Sequence, residues 1–512
     1  MGATVELTDG DLRVADVLAV ARDGAPVRLA RSATEAMRRA ARIVERLAAS
    51  SEPVYGVSTG FGSLATTTIR PERREDLQRA LIRSHAAGIG PPVEVEVVRA
   101  MMLLRARSLA MGFSGARPEV AGGLLALLNA DVTPVVPEHG SLGASGDLAP
   151  LAQVGLVLMG EGEAVDSAGV RRGGDEALAG AGLEPLRLRA KEGLALINGT
   201  DGILEMLILA CADLRSLLRS AEIAAAMSVE ALLGTDRAFA ADLIALRPQV
   251  GQAASAENLR RLLDGSEIVA SHRHDDPRVQ DAYSLRCAPQ VFGAARDALA
   301  FAEAIAEREL ASAIDNPMVL PDGRVESCGN FHGAPLGLAC DLLSIAIADA
   351  GAICERRTDR LLDRTRSAGL PPFLAEDPGV DSGLMIAHYS QAAMVAENRR
   401  LAVPAGTDTI PTSAMQEDHV SMGWAAGRKV RTGVANLRRV VAVELACAAR
   451  ALDLRAPLRP AAGTGAARDA VRDAILGPGP DRWVAPELAA VDELVKEGEI
   501  VAAVESAVGA LS

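Results

Sequence analysis

The segment 201–233, DGILEMLILACADLRSLLRSAEIAAAMSVEALL, decides the fold class of this chain. Alanine and leucine are abundant in it and β-branched alternation is scarce, which favours a helix over a strand. Because its apolar residues cover most faces of that helix, the helix must be buried against other helices. The segment therefore predicts the core of a buried helical bundle.

The same pattern continues beyond residue 200. Long apolar or amphipathic helical patterns occupy 287–313, 333–363, 384–402 and 419–452. By contrast, the region before residue 113 holds shorter helical patterns, and 113–200 is rich in turns. The sequence therefore predicts a buried bundle of long helices from about residue 200 onward.

Composition and charge argue against several classes of function. The chain has 512 residues, a net charge of −14 and a pI near 5.2, which argues against nucleic acid and anionic membranes as partners. Apolar runs such as 342–348 are far shorter than the ~18 residues that a membrane span needs. The N-terminus is acidic and lacks the features of a signal peptide, and the six cysteines form no C-x-x-C pair. We therefore expect a cytoplasmic protein with reduced thiols and no membrane or nucleic-acid partner.

The side chains that usually hold cofactors are few. Lysine and tyrosine occur only three times each, which leaves few candidates for chemistry that needs an amine or a phenol. The seven histidines show no H-E-x-x-H or comparable spacing. We therefore expect no metal site.

The most unusual segment is GSLGASGDLAPLAQ at 140–153. It lacks the Gly-Lys-Ser/Thr of a P-loop, and Ser145 lies in G-A-S-G rather than in the G-x-S-x-G of a nucleophile elbow. One interpretation is a structural or phosphate-binding turn. The other is an internal cyclisation, in which the Gly146 nitrogen attacks the Ala144 carbonyl and loss of water leaves a methylidene on Ser145. Small residues permit the compressed geometry that this reaction needs, and these residues alone leave both interpretations open.

Ala144-Ser145-Gly146 followed by DLAPL resembles the prosthetic-group signature of the aromatic amino acid lyases. In that family Ala-Ser-Gly becomes 4-methylideneimidazol-5-one (MIO) by autocatalysis. The resemblance implies that Ala144, Ser145 and Gly146 form MIO here and that Asp147 supports ring formation. It also implies that neither pyridoxal phosphate nor a metal is required.

Further blocks resemble the same family, in the same order, from about residue 5 to the C-terminal region. They are YGVSTGFG (55–62) with Tyr55, SHAAGIG (84–90) with His85, KEGLALINGT (191–200) with Asn198, RVQDAYSLRCAPQV (278–291) with Gln280, Tyr283 and Arg286, DNPMV (315–319), GNFHG (329–333) with Phe331, and PTSAMQEDHVSM (411–422) with Glu417. Two positions depart from the pattern, since Asp201 stands where many relatives have Gln and Ala334 where several have Glu.

The resemblance implies a role for each of these residues. Tyr55 would be the base that removes the β-proton of the substrate, although an ordinary phenol has a pKa of ~10 and would need activation. Arg286 would bind the substrate carboxylate with its planar guanidinium. Asn198 and Gln280 would hydrogen-bond the substrate or the MIO carbonyl, and Tyr283 would act in catalysis by steadying the same region.

Substrate selectivity would depend on a second group of residues. Glu417, also counted among the catalytic residues, and His85 fit an imidazole ring, because a carboxylate accepts an imidazole N–H and a histidine can donate or accept. Phe331 would form a wall of the ring pocket. Relatives that act on tyrosine resemble His-Leu at the position of Ser84-His85, and those that act on phenylalanine resemble Phe-Leu. Ser-His therefore favours L-histidine as the substrate.

The resemblance also implies the architecture and the reaction. We expect an all-α, fumarase/aspartase-like fold with an N-terminal head domain at 1–112, which carries the Tyr55 loop and Ser84-His85. Residues 113–512 would form the central bundle and C-terminal helices and carry the MIO tripeptide. The chain would form a homotetramer with active sites shared between subunits.

The implied reaction converts L-histidine to trans-urocanate and ammonia, the first step of histidine degradation. An MIO-dependent aminomutase, a tyrosine or phenylalanine ammonia-lyase and a non-catalytic scaffold remain as alternatives. The intact Ala-Ser-Gly argues against the scaffold.

Overall fold

The computed structural model of the chain describes residues 3–10, 12–49, 54, 56–60, 62, 66–274 and 276–512. Helices dominate these residues, which confirms the predicted all-α class. The α-helices are α1 Val14–Arg22, α2 Arg31–Ala48, α3 Arg74–His85, α4 Val95–Ala110, α5 Pro118–Asn129, α6 Leu148–Leu158, α7 Gly174–Gly180, α8 Glu192–Ile197, α9 Asp201–Ala231, α10 Ala241–Ala245, α11 Val250–Leu263, α12 Glu267–Ser271, α13 Tyr283–Arg286, α14 Ala288–Leu310, α15 Ala334–Leu362, α16 Met385–Leu401, α17 Gly423–Asp453, α18 Ala462–Ala474, α19 Ala485–Lys496 and α20 Glu499–Val508.

The long helices begin and end close to the limits that the sequence predicts. The segment 201–233 forms α9, whose residues from Ile203 to Ala210 are almost entirely removed from solvent. The four later patterns form α14, α15, α16 and α17, each within a few residues of the expected ends. Apolar periodicity therefore sufficed to place the central helices.

The strands are short and lie between the helices. They are β1 Val5–Leu7, β2 Val27–Leu29, β3 Ile89–Pro92, β4 Thr133–Pro134, β5 Pro137–His139, β6 Glu163–Val165, β7 Arg171–Gly173, β8 Met318–Val319 and β9 Val325–Glu326. The pair β1–β2 is parallel, with Val5 opposite Val27, whereas β3–β5, β4–β6–β7 and β8–β9 are antiparallel. Each strand has only two to four residues, so these strands connect loops and do not form the core of a sheet.

The chain forms two compact units. The first unit consists of Met1–Leu209, Glu303–Cys340 and Pro404–Arg428. The second consists of Ala210–Ala302, Asp341–Val403 and Lys429–Ser512. Neither unit begins or ends at residue 112, and the division into compact units does not test a separate head domain. The head domain at 1–112 therefore stays a prediction.

In the first unit, three helices create the setting of the site. Helices α3, α6 and α8 pack against one another. His85 is the last residue of α3, Asp147 directly precedes α6, and Asn198 directly follows α8. The packing of these three helices therefore brings three predicted site segments together.

In the second unit, a buried ion pair connects the long helices. Arg357 of α15 donates from Nε to Glu444 of α17 at 2.5 Å, and Ser228 of α9 donates to the same carboxylate at 2.8 Å. All three side chains are fully buried. Removal of one partner would leave an uncompensated charge in the core, so the group specifies how these helices pair.

Two helical segments, Glu192–Ala231 and Ala334–Leu362, are long and apolar enough to cross a membrane by length and composition. The most apolar window of the first is completely buried within the protein. That burial is typical of a core helix.

Candidate active site

A cavity of about 490 Å³ in the first unit collects several of the predicted residues. Its apolar wall comes from α3, α6 and α8, including Leu81, Leu148 and Ile197. Its polar lining includes Ser84, His85, Ser145, Asn198, Asn316, Ser413 and Glu417. An apolar pocket with a few convergent polar groups is the usual form of a small-molecule site.

The tripeptide segment is held in a compressed turn beside this cavity. Gly146 has a φ of +73°, and a Cβ there would lie 2.1 Å from the Gly199 carbonyl oxygen. The same carbonyl accepts the Asp147 N–H at 2.7 Å. Only glycine fits this position, because both the backbone conformation and the available space exclude a side chain.

Ser145 is half-buried and reaches into the cavity, and it contacts two of the predicted residues. Its carbonyl oxygen accepts from Nδ2 of Asn198 at 2.9 Å. Its hydroxyl donates to Oε1 of Glu417 at 3.4 Å, a long contact. The second carboxylate oxygen of Glu417 accepts from the Thr412 hydroxyl at 2.8 Å, so Thr412 fixes the orientation of that carboxylate.

Asp147, the residue before α6, is fully buried, and its carboxylate faces the first turn of α9. Its carboxylate accepts from the Ser141 hydroxyl at 2.8 Å and from the backbone N–H groups of Gly202 and Ile203 at 2.9 and 3.0 Å. Burial raises the pKa of Asp147 to about 7, while these hydrogen bonds oppose the shift and the nearby Asp201 adds to it. The group can therefore hold or release a proton near neutral pH.

His85 has a defined ring tautomer. Its Nδ1 lies 2.9 Å from the Leu81 carbonyl oxygen, which can only accept, so Nδ1 carries the proton. Burial lowers the pKa of His85 below its ordinary value, and the hydrogen bond to the Leu81 carbonyl and the nearby Glu417 only partly oppose this shift. A neutral ring with a protonated Nδ1 leaves Nε2 as a hydrogen-bond acceptor.

Two amides line the same cavity, but only one was assigned from the sequence. Asn198 has a buried Oδ1 with no hydrogen-bond partner among the described residues. Asn316 lies in the family-like block DNPMV, and the sequence by itself suggests no role for it. Its Oδ1 accepts from Ser327 and from the Cys328 N–H at 3.0 and 2.9 Å, which fixes the orientation of its amide. Its position in that block is the feature of the sequence that could have marked it as a site residue.

The structure does not bring all predicted residues to this cavity. Gln280, Tyr283 and Arg286 belong to the second unit, where they line a cavity of about 460 Å³. The Arg286 guanidinium lies 4.8 Å from the Tyr283 ring centre, a cation–π contact. Tyr283 is 71% exposed, and Arg286 Nε is buried without a hydrogen-bond partner in the part of the chain described.

The positions predicted for Phe331 and Tyr55 are not confirmed by the cavity lining. Phe331 is half-buried in the first unit but is not part of the cavity lining. Tyr55 lies outside the described residues, although Gly60 and Gly62 of its segment line the cavity. Among the described residues, no group of three or more His, Cys, Asp or Glu side chains could hold a metal ion.

Comparisons with known proteins assign the family. The model of the aromatic amino acid lyase family matches residues 12–473. The chain is 61% identical over 500 residues to a histidine ammonia-lyase of Streptomyces griseus, with 97% of each chain covered. The chain therefore belongs to the aromatic amino acid lyase family.

Solved structures agree with this assignment. A tyrosine aminomutase from Streptomyces globisporus matches with a TM-score of 0.93 at 36% identity, over 99% of both chains. A histidine ammonia-lyase from Trypanosoma cruzi matches with a TM-score of 0.91 at 38% identity, over 99% of this chain and 96% of that one. The predicted family and the fumarase/aspartase-like helical fold are confirmed.

Proposed function

We propose that this chain is a carbon–nitrogen lyase that eliminates ammonia from L-histidine to give trans-urocanate, the first step of histidine degradation. The observation that carries the proposal is the cavity in which Ser145 lies beside His85 and Glu417. Relatives named histidine ammonia-lyase are 46–61% identical over nearly the whole chain, which supports the same activity here. The cytoplasmic location and the absence of membrane or nucleic-acid partners stay predictions from composition.

The residues around the tripeptide fit the formation of MIO. A side chain at Gly146 would collide with the Gly199 backbone, and a side chain at Gly199 would collide with Arg105 and Asp201. The unpartnered Oδ1 of Asn198 can accept a hydrogen bond from the substrate. Asp147, whose pKa is raised to about 7, can accept a proton as the Gly146 nitrogen reacts. Once formed, MIO would supply an electrophilic methylidene carbon beside the cavity.

The cavity also fits an imidazole ring. Neutral His85 offers Nε2 as an acceptor, and Glu417 offers a carboxylate that Thr412 orients. A neutral imidazole can donate its one N–H to either acceptor, and an imidazolium can donate to both, whereas the ring of phenylalanine has no N–H. A site built on such contacts rejects the analogue that lacks them, because its own buried groups are left unpaired. The amide of Asn316 can donate to the polar part of the same ligand.

The remaining roles require more than one copy of the chain. We propose a homotetramer in which Gln280, Tyr283 and Arg286 of other subunits complete the site. The exposure of Tyr283 supports this arrangement, since its ring is open to a neighbouring subunit or ligand, and the buried Nε of Arg286 still lacks a hydrogen-bond partner among the described residues. Arg286 would bind the substrate carboxylate. Tyr55 remains the proposed base for the β-proton.

The test measures kcat/KM for histidine, tyrosine and phenylalanine, with chiral analysis of the products. We expect conversion of histidine to urocanate with a strong preference over the other two substrates. Replacement of Ser84-His85 by Phe-Leu should lower histidine turnover and narrow that preference. A preference for tyrosine or phenylalanine would refute the substrate assignment, and a β-amino acid product would identify an aminomutase.

Shared sites can be tested by mixing subunits. Ser145→Ala and Arg286→Ala chains, each inactive alone, should regain part of the activity when they are co-expressed and assemble together. If both residues of a site came from one chain, no mixture would recover activity. Size-exclusion chromatography with light scattering would measure the oligomeric state of each preparation.

A further inference from the structure

Arg105 is a fully buried cation near the tripeptide, in the first unit. It lies on α4, and charged side chains are rarely buried without specific partners. Its Nη1 donates to the Asn198 carbonyl at 2.8 Å, and its Nη2 donates to the Ile314 carbonyl at 2.9 Å. Because Ile314 lies two residues before Asn316, one guanidinium connects the two segments that carry the cavity amides.

The Asn198–Gly199 segment also contacts the tripeptide. Asn198 Nδ2 donates to the Ser145 carbonyl at 2.9 Å, and the Asp147 N–H donates to the Gly199 carbonyl at 2.7 Å. The segment therefore contacts Arg105 as well as the residues that would cyclise. The segment is held by the hydrogen bond that it accepts from Arg105 and by the one that it donates to Ser145.

Packing makes this arrangement rigid. A Cβ on Gly199 would lie 2.2 Å from Nη1 of Arg105 and 2.3 Å from Oδ2 of Asp201. A Cβ on Gly146 would lie 2.1 Å from the Gly199 oxygen. The absence of a side chain at Gly199 lets Arg105 and Asp201, whose charged groups are 3.4 Å apart, pack against this segment, and the absence of one at Gly146 lets the segment lie against the tripeptide.

We propose that Arg105, paired with Asp201, is a positioning residue for the ring closure of Ala144-Ser145-Gly146. The inference rests on the proposed function, since it concerns how MIO forms. Arg105 acts by holding the Gly199 carbonyl against Gly146 and the Asn198 amide against the Ser145 carbonyl. Loss of this restraint would lower the fraction of chains in the reactive geometry.

The reaction that is positioned is balanced without an oxidant. The Gly146 nitrogen forms a bond to the Ala144 carbonyl carbon, and the carbonyl oxygen leaves as water with the hydrogens of the Gly146 and Ser145 nitrogens. Ser145 then loses its hydroxyl and its Cα hydrogen as a second water. Maturation therefore lowers the mass of the chain by two water molecules, which can be measured without an activity assay.

The experiment compares Arg105→Lys with Arg107→Lys. Lysine keeps the charge but cannot reproduce the two-pronged contact of a guanidinium. Arg107 is a matched control, because it is buried on the same helix but donates to the Ser312 carbonyl at 2.7 Å. Intact mass and near-ultraviolet absorbance would follow maturation, and far-ultraviolet circular dichroism would report folding. We expect Arg105→Lys to mature about 10-fold more slowly than the wild type and Arg107→Lys at the wild-type rate.

Equal maturation of the two variants would overturn the proposal. If Arg105→Lys does not fold, Asp201→Asn decides, because asparagine keeps the shape but removes the charge paired with Arg105. Slower maturation of folded Asp201→Asn would support the proposal, and the wild-type rate would refute it. A wild-type chain with neither the mass deficit nor urocanate production would instead refute the proposed function.

Discussion

The two cavities differ in how their polar groups are held. In the first unit, Ser145, Asn198 and Glu417 are connected to one another and to backbone atoms before any ligand binds. In the second unit, Tyr283 is largely exposed and Arg286 keeps a buried nitrogen without a hydrogen-bond partner among the described residues. The contrast indicates that the polar groups around Ser145 are preorganised within one chain, whereas Tyr283 and Arg286, the proposed carboxylate-binding region, are held by fewer hydrogen bonds among the described residues.

The largest expected effect comes from the first cavity. Ser145→Ala has no hydroxyl to lose, so it cannot form the methylidene, and we expect kcat/KM for histidine to fall about 10³-fold or more. The variant should fold and assemble as the wild type does, measured by circular dichroism and light scattering. Ser506→Ala, at an exposed serine of α20, is the control and should keep full activity. Wild-type turnover in Ser145→Ala would end the proposal of an MIO mechanism.

The second expected effect tests the second cavity. Arg286→Lys keeps the charge but loses the fork that matches a carboxylate, so we expect KM for histidine to rise about 10- to 100-fold. Arg366 lines the same cavity but is already paired with Asp359 and Asp363. Arg366→Lys should therefore leave KM nearly unchanged. Equal effects of the two variants would show that the cavity responds to general charge rather than to one carboxylate-binding residue.

A third prediction sharpens the selectivity of the first cavity. Glu417→Gln keeps the shape of the side chain but removes its charge, and we expect kcat/KM for histidine to fall about 10-fold or more. The mass deficit of MIO should still appear, because Glu417 makes only a long contact with the Ser145 hydroxyl. Asp418→Asn, at the exposed neighbouring carboxylate, is the matched control. Unformed MIO in Glu417→Gln would assign this carboxylate to maturation instead of substrate binding.

The smallest expected effect concerns pH. Burial raises the pKa of Asp147 to about 7 from its ordinary 3.8, so between these values the folded chain holds a proton that the unfolded chain has released. The contribution of Asp147 to stability therefore falls as pH rises through this window. Asp147→Asn cannot ionise, so its Tm should rise relative to that of the parent as pH increases from about 4 to 8.

This comparison is best made in chains that also carry Ser145→Ala, so that maturation does not differ between the samples. Asp473→Asn, at an exposed aspartate, should show a Tm difference that does not change with pH. If the Tm difference between Asp147→Asn and its parent also did not change with pH, the raised pKa of Asp147 would be contradicted.

Much of the candidate site could be predicted from the sequence. GASGD identified the tripeptide and Asp147, and family-like blocks gave His85, Asn198 and Glu417, all of which lie in or beside one cavity. Arg105 and Thr412 received no role, because they act through hydrogen bonds to other site residues and carry no signal of their own in the sequence. The roles of Tyr55, Phe331 and the second-unit residues stay predictions.

By itself, the sequence determined the fold class, the limits of the long helices and the residue types that the chemistry requires. These properties are local, since apolar periodicity and a small-residue turn can be recognised within one segment. The tertiary structure decided the tautomer of His85, the raised pKa of Asp147 and the contact of Arg105 with the segment behind the tripeptide. These properties depend on burial and on partners distant in the chain, which only the packing of helices brings together.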